Sequence, residues 1–545
     1  MPSLPVPPRW RTVRTERAVL GVVHNVTAAT RLLDVLSLFA GDHRLQFVFT
    51  CPGSSAFTGG TAEYLAAHGI RLLPWKEAVH GGFDWTVSAS YGGDLHKLRG
   101  PLTVLPHGMG YNKFLESGKA GKRESGKAGK RESGVFGLSP HWLMHGGSVV
   151  PAHLVLSHEE QLDRLRLSCP SAADRAIVAG DPCLDRLRAS LPLRETYRQM
   201  FGVRGGRKLL FLTSTWGADS LYGTDPDLPA RLAAHLPLDE FAIVVALHPN
   251  IEQGHQSWQL NQWLSQCRRS GVTVLPREDL WQQAAVAADV TVGDHGSVTF
   301  YSACLGTPVL LANAPHETVD PASPIAALLR TAPQLTTTGF AAQIAEAMAF
   351  PAALGKVVAL ATSAPGEFAA RMLDLGYRTL RLTPPKRTPS FTAFPLVQVP
   401  RQEPAAHWVR VIDDEVVRYA AVDDVFPADA HLVVTTEAPD PRLLEQASVI
   451  LGGPATDPAR WIAATLCALP GCEWAACPAE TGWWAGNHDG LLVEFTTPEL
   501  PQVVPSLLHA LGSIPDELSF TAAGVRHQVR LNVLIDDRPG APATP

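Results

Sequence analysis

Four short stretches carry the side chains best suited to chemistry. The first is GDHGS, Gly293 to Ser297, inside DVTVGDHGSVTFYSACLGTPVLL, Asp289 to Leu311. That segment reads as strand, tight turn and helix, then a stop at Gly306, Pro308 and another strand. Asp294, His295, Gly296 and Ser297 therefore fall at a helix N-terminus, where free N–H groups and the positive dipole end favour an anion. Gly296 lets the backbone approach a phosphate, while Ser297 and Thr299 add hydroxyl donors. The same spacing also suits Asp294 or Ser297 as a plain helix cap. TSTWG, Thr213 to Gly217, follows the strand-like KLLFL and offers Ser214, Thr215 and Trp216 in a turn. LHPN, Leu247 to Asn250, follows FAIVVA and fixes His248 ahead of Pro249. LPHGMGYNKF places His107 at the end of LTVLP, with Gly108, Gly110 and Lys113 behind it. An imidazole with its ordinary pKa of about 6.5 suits general-base work on a hydroxyl, and Lys113 suits phosphate neutralisation. A lone histidine is more often structural, and His107 also fits a turn held by backbone. Convergence of several polar strand ends on one crevice favours the functional reading.

These residues meet only if the strands behind them run parallel and end at a common edge. The first half supplies such strands: AVLGVVHN, LQFVFT, IRLLP, DWTVSAS, LTVLP, HLVLS and IVAGDP, alternating with helical patterns such as TAATRLLDVLSLFAG. A second unit repeats the rhythm with KLLFLT, FAIVVALHP, VTVLP, DVTVG and PVLLA. A β-α-β rhythm means a mostly parallel sheet with helices on both faces. The expected fold is α/β: two doubly wound, Rossmann-like domains facing a cleft, plus a small C-terminal α/β domain. The boundaries expected are 1–190 for the first unit, including a basic loop at 116–134, and 191–385 for the second. A Pro-rich linker covers 386–405, and an additional α/β domain with no evident catalytic constellation covers 406–545. In that last domain HLVVTT, SVILGG, GLLVEF and HQVRLNVLID read as strands.

A formal charge of −6 over 545 residues does not suit a nucleic-acid coat. The local exception is ESGKAGKRESGKAGKRESG, Glu116 to Gly134, two full copies of an octapeptide and the start of a third. Within it GKRESGKA, Gly121 to Ala128, nearly spells a phosphate-binding loop, but Ala128 replaces the metal-binding hydroxyl. Neither an apolar strand before it nor an apolar helix after it is present, so it reads as a cationic surface loop. Cys467, Cys472 and Cys477 lack paired zinc spacing and read as free thiols, so no metal site is expected. No apolar run is long enough to span a bilayer, and the expectation is a soluble, cytoplasmic protein.

HGMGYNK resembles the HGTPLK-type motif of CDP-glycerol glycerophosphotransferases, the teichoic acid polymerase family. TSTW resembles that family's PTW turn, LHP its lysine-His-Pro strand end, and GDHGSVTFYSACLGTPVLL its DYSSV-type signature. AGDPCLDRL, Ala179 to Leu187, is similar to the G-x-P-x-x-D segment of these and related sugar-nucleotide enzymes. The motifs keep the family's order across residues 18–385. The resemblance implies a glycosyltransferase-B architecture and transfer of a glycosyl or glycerophosphoryl group from a CDP- or UDP-linked donor. The acceptor would be a hydroxyl on a glycan or polyol polymer, in cell-envelope synthesis, with peripheral association at the inner membrane face. It implies His107 as base, with His248 and the turn from Asp294 to Thr299 on the pyrophosphate, and no obligatory cofactor. The signature's acidic residue is replaced by Tyr301. The same segment resembles the turn of UDP-N-acetylglucosamine 2-epimerases, whose paired glutamates are Phe300 and Tyr301 here. An epimerase or hydrolase on a UDP-sugar, and a catalytically decayed nucleotide-sugar-binding protein, are the alternatives.

Overall fold

The computed structural model describes residues 12–55, 58–114, 134–276, 280–386, 388–399, 403–422, 425, 427–497, 500–511 and 513–535. The basic octapeptide repeat, apart from Gly134, lies outside the described residues.

The first strands are short apolar runs. Arg17–Val22 (β1) is buried along nearly its whole length, as expected of a strand covered on both faces. Leu45–Thr50 (β2), Leu72–Leu73 (β3), Trp85–Ser88 (β4) and Leu102–Val104 (β5) follow. Met144–His145 (β6) and Ser148–Val149 (β7) form a separate hairpin, and His153–Leu156 (β8) and Ala176–Val178 (β9) complete the sheet. Its order is β3-β2-β1-β4-β5-β8-β9, with every pairing parallel. The order reverses between β1 and β4, which opens a crevice at the C-terminal ends of those strands.

The second sheet contains Lys208–Ser214 (β10), Phe241–Leu247 (β11), Thr273–Val274 (β12), Val290–Gly293 (β13) and Val309–Leu311 (β14). Its order is β12-β11-β10-β13-β14, again all parallel, with the reversal between β10 and β13. Each strand inferred from sequence in these two units is present. The units are not contiguous in chain, however. The helix Phe368–Leu380, assigned by sequence to 191–385, packs on the first sheet, where Tyr377 and Phe39 rings lie 5.5 Å apart. Gly376 is required there, because an added Cβ would come within 2.5 Å of Phe39. Asp185 fixes the crossing by accepting from Gly366 N at 2.8 Å and Phe368 N at 3.2 Å.

The C-terminal region corrects the expectation of a small α/β domain. Nine strands close into a barrel: Ala406–Ile412 (β15), Glu415–Ala420 (β16), His431–Thr435 (β17), Val449–Leu451 (β18), Trp474–Ala479 (β19), Gly482–Asn487 (β20), Leu492–Thr496 (β21), Glu517–Ala522 (β22) and Val525–Ile535 (β23). β17, β18 and β19 pair in parallel through the helices Pro441–Gln446 and Pro458–Ala468, which is the α/β character read from the sequence. Of the antiparallel strands that close the rest, β21 and β23 were read from the sequence as GLLVEF and HQVRLNVLID, whereas β15 and β16 were not, because residues such as Trp408, Arg410 and Arg418 interrupt the apolar pattern. Closure leaves no strand edge unpaired. Phe495, Phe520 and Leu507 fill the inside, the last from the helix Val504–Ala510.

The barrel docks on the second unit. Arg418 forms a two-pronged ion pair with Asp239, its Nε donating at 2.8 Å, and Leu238 N donates to Arg418 O at 2.8 Å. Ala420 and Val422 join the apolar core of that unit. The Pro-rich connection has no regular secondary structure in its described residues, yet Phe394 is buried and the Arg186 guanidinium lies 4.2 Å from its ring centre.

Candidate functional site

The strand ends of the two sheets enclose one cavity of about 790 Å³. Nine of the eleven sequence-predicted residues line it: His107 and Lys113 from the first unit, and Ser214, Thr215, Trp216, His248, His295, Gly296 and Ser297 from the second. Asp294 and Thr299 do not. Both are fully buried behind the wall, so direct contact with a ligand is not their part. Asp294 instead accepts from Thr215 N at 2.9 Å, Leu221 N at 2.9 Å, Gly296 N at 2.9 Å and Ser214 Oγ at 3.3 Å. One carboxylate thus ties the turn after β10 to the turn after β13. Burial pushes its carboxyl above the ordinary range, against the opposing pull of those N–H donors and of Lys113.

The helix Ser297–Cys304 begins at Gly296 with no side-chain cap, which leaves its first-turn N–H groups to the cavity. Gly296 has an ordinary negative φ and sits in a tight place, since an added Cβ would lie 3.0 Å from Asp294 Oδ1. Ser297 is engaged across the cavity floor, where its Oγ accepts from Met109 N at 3.0 Å. An added Cβ at Gly108 would lie 2.7 Å from that same oxygen. Lys113 Nζ donates to Thr215 Oγ1 at 3.1 Å, and Asp320 N donates to Asn112 O at 2.8 Å. The loop after β5 is therefore seated directly on the second unit. Burial lowers the Lys113 pKa, with Asp294 opposing.

The histidines divide by which ring nitrogen is free. His107 Nδ1 faces Ala89 O at 3.1 Å, and a carbonyl only accepts, so Nδ1 carries the proton and Nε2 keeps a lone pair. Burial, then Arg31 and Lys113, hold His107 below its ordinary pKa, so the lone pair is present at neutral pH. His248 has the opposite tautomer. Its Nδ1 accepts from Asn250 N at 3.1 Å, which leaves Nε2–H as a donor. Burial lowers its pKa to about 3 and that of His295 to about 2, so both are neutral and contribute dipoles rather than charge.

Two wall residues were missed in the sequence. Arg31 Nη2 donates to His107 O at 3.3 Å and reaches Tyr301 OH at 3.5 Å. Tyr301 OH in turn donates to Asp181 Oδ2 at 2.8 Å, so the tyrosine in the place of an acidic residue is a link between the two units. Phe300 is buried in the core. The signal for Arg31 is its position on the apolar stripe of Val26–Leu36, where a charge is out of place unless paired. His24 closes AVLGVVHN, a strand end of the same kind as those of TSTWG and LHPN. The three clustered cysteines are free thiols, and among the described residues no group of His, Cys, Asp or Glu is placed to hold a metal. Among the described residues no helix is long and apolar enough to cross a membrane.

No protein-family model and no curated protein sequence matches the chain. Similar solved structures include both kinds of protein suggested by the motifs. A wall teichoic acid polymerase TagF is 12% identical, with 68% of this chain and 90% of that chain covered, at a TM-score of 0.38. MnaA from S. aureus, solved with UDP, is 11% identical over 70% of this chain and 100% of that chain, at 0.42. A UDP-GlcNAc 2-epimerase from Neisseria meningitidis, bound to UDP-GlcNAc, is 15% identical over 67% of this chain and 100% of its own, at 0.39.

Proposed function

We propose that the chain is a transferase of glycosyltransferase-B type, moving a glycosyl or glycerophosphoryl group from a nucleotide-activated donor to a hydroxyl acceptor. One observation carries this reading. A single cavity has a base-competent imidazole, His107, on one wall, and faces it with an uncapped helix N-terminus, the His248 Nε2–H donor and Lys113. The first wall suits a nucleophilic hydroxyl and the second suits a leaving phosphate.

In that reaction His107 Nε2 takes the acceptor proton as the hydroxyl oxygen bonds to the donor's electrophilic carbon or phosphorus. The bond to the leaving phosphate oxygen breaks, and the electron pair stays on the nucleotide. The N–H groups at Ser297 and beyond, with His248 and Lys113, stabilise that growing charge. Asp294 works indirectly, holding both turns in register. Cell-envelope polymer synthesis is the setting the sequence resemblance suggests. The test is turnover and binding in the same protein. His107→Ala should reduce turnover by about 10²- to 10⁴-fold while a CDP, UDP, GDP or CMP ligand found by thermal shift still stabilises the fold. Turnover of UDP-N-acetylglucosamine without any acceptor would instead mark an epimerase or hydrolase.

A further inference from the structure

A second cavity, of about 460 Å³, lies at the seam where the barrel docks on the second unit. One side of it is the helix Ser265–Arg269 of the second unit. The other is β15, β17 and the helix Pro441–Gln446 of the barrel. Val422 lines it and shares an apolar core with Cys267 of the second-unit helix, so the seam is closed beneath it. The phosphate chemistry leaves this cavity unused. Clefts of such a size where two domains meet are a common setting for small-molecule sites.

Its lining has an apolar floor and a charged rim. Trp408, Leu432 and Leu443 belong to one apolar cluster of the barrel, with Leu432 buried and the other two half-buried. An indole ring beside aliphatic side chains suits a flat apolar body. Among the described residues, the charged side chains lining the cavity are Arg269, Asp440 and Arg442. Asp440 is already engaged, accepting from Arg442 Nε at 3.0 Å and Arg442 Nη2 at 2.7 Å. Hydrogen bonds from Arg442 lower its carboxyl pKa to about 2, and the Arg269 charge adds to the effect. Arg269 itself forms no salt bridge among the described residues. Two guanidiniums from opposite sides of the seam thus face one carboxylate, and one positive charge stays unbalanced.

We propose that this cavity is a binding site for a small aromatic anion, its ring against Trp408 and its carboxylate or phosphate on Arg269 and Arg442. The guanidinium fork matches either oxyanion. A cation would meet the excess positive charge, and a neutral ring would leave it unanswered. Because the two arginines belong to different bodies, such a ligand binds the docked form and stabilises docking by mass action. The inference does not depend on the transferase reading, whose cavity lies at the strand ends of the two sheets.

The experiment is isothermal titration of the full chain with naphthyl phosphate, naphthoate and the uncharged naphthylmethanol. At least one anion should bind the wild type saturably and more tightly than the alcohol. Arg269→Glu turns an attraction into a repulsion and should weaken that anion about tenfold, with the alcohol unchanged. Arg269 is exposed, so this variant keeps the fold. Trp408→Leu should weaken anion and alcohol together, about fivefold. Lys113→Met should bind the anion like the wild type, since Lys113 lines the other cavity. The inference is overturned if neither anion binds the folded wild type, or if Arg269→Glu binds both as the wild type does. Loss of the anion in Lys113→Met also overturns it, by placing the ligand at the strand ends. A preference for phosphate or for carboxylate identifies the head group and supports the site either way. If the anion binds here and neither CDP nor UDP binds, this site stands and the transferase reading falls; the opposite pattern removes this site alone.

Discussion

His107 and His248 are both neutral imidazoles in one cavity, and a single hydrogen bond on each decides what it can do. The Ala89 carbonyl leaves His107 with a lone pair, and the Asn250 N–H leaves His248 with a donor. Their roles are not exchangeable. Because burial lowers the His107 pKa, its base form survives to lower pH than an ordinary histidine's. The acid limb of kcat/KM should therefore fall below about pH 6.5, with activity lost as pH drops through the lowered pKa. A pH–rate profile breaking above that value would remove His107 from the base role. Asp294 makes a different prediction. Asp294→Asn keeps one oxygen but turns an N–H₂ toward backbone donors, leaving some of them unsatisfied, and should cost about 1–3 kcal/mol. Chemical denaturation measures this, and an unchanged midpoint would show that the turns hold without the carboxylate.

At the scale of elements, close backbone approach joins the units. The loop after β5 reaches Ser297 only because Gly108 has no side chain. Gly108→Ala should lower turnover more than stability, since it pushes the His107 loop away from the opposing wall. Equal turnover in that variant would mean that the Met109–Ser297 contact is incidental. Much of this level was legible in the sequence. The strands of both doubly wound sheets are short apolar runs, and parallel strands covered on both faces give that pattern clearly. The site was legible as far as strand ends go: TSTWG, LHPN, GDHGS and LPHG do reach one cavity. Which side chains line the cavity was not, because Asp294 and Thr299 turn inward for reasons set by contacts with Thr215, Leu221 and Gly293. Arg31 and His24 went unread because their neighbours in space, His107 and Gly92, are 76 and 68 residues away. The barrel was missed because hairpin strands with one wet face carry a weaker apolar signal.

Over the whole molecule, two long-range devices hold three bodies together. The helix Phe368–Leu380 returns the chain to the first sheet, with Tyr377 OH donating to Asp42 Oδ2 at 2.9 Å and Arg17 Nε donating to Leu380 O at 2.8 Å. The Arg418–Asp239 pair clamps the barrel to the second unit, with both side chains only 12% exposed. Removing one partner of such a pair leaves an uncompensated buried charge, so Asp239→Ala should cost about 3–5 kcal/mol. Arg418→Met with Asp239→Leu should recover most of that loss. If the single variant unfolds like the wild type, the clamp does not bear on docking. The cavity lies between the first two bodies, and on the transferase reading both walls act on one nucleotide-linked substrate. Isothermal titration of CDP and UDP into the wild type and Lys113→Met tests this most directly. Saturable binding of one of them is expected, weakened about tenfold when the Lys113 charge is removed. No binding of either, or equal affinity in the variant, would contradict it.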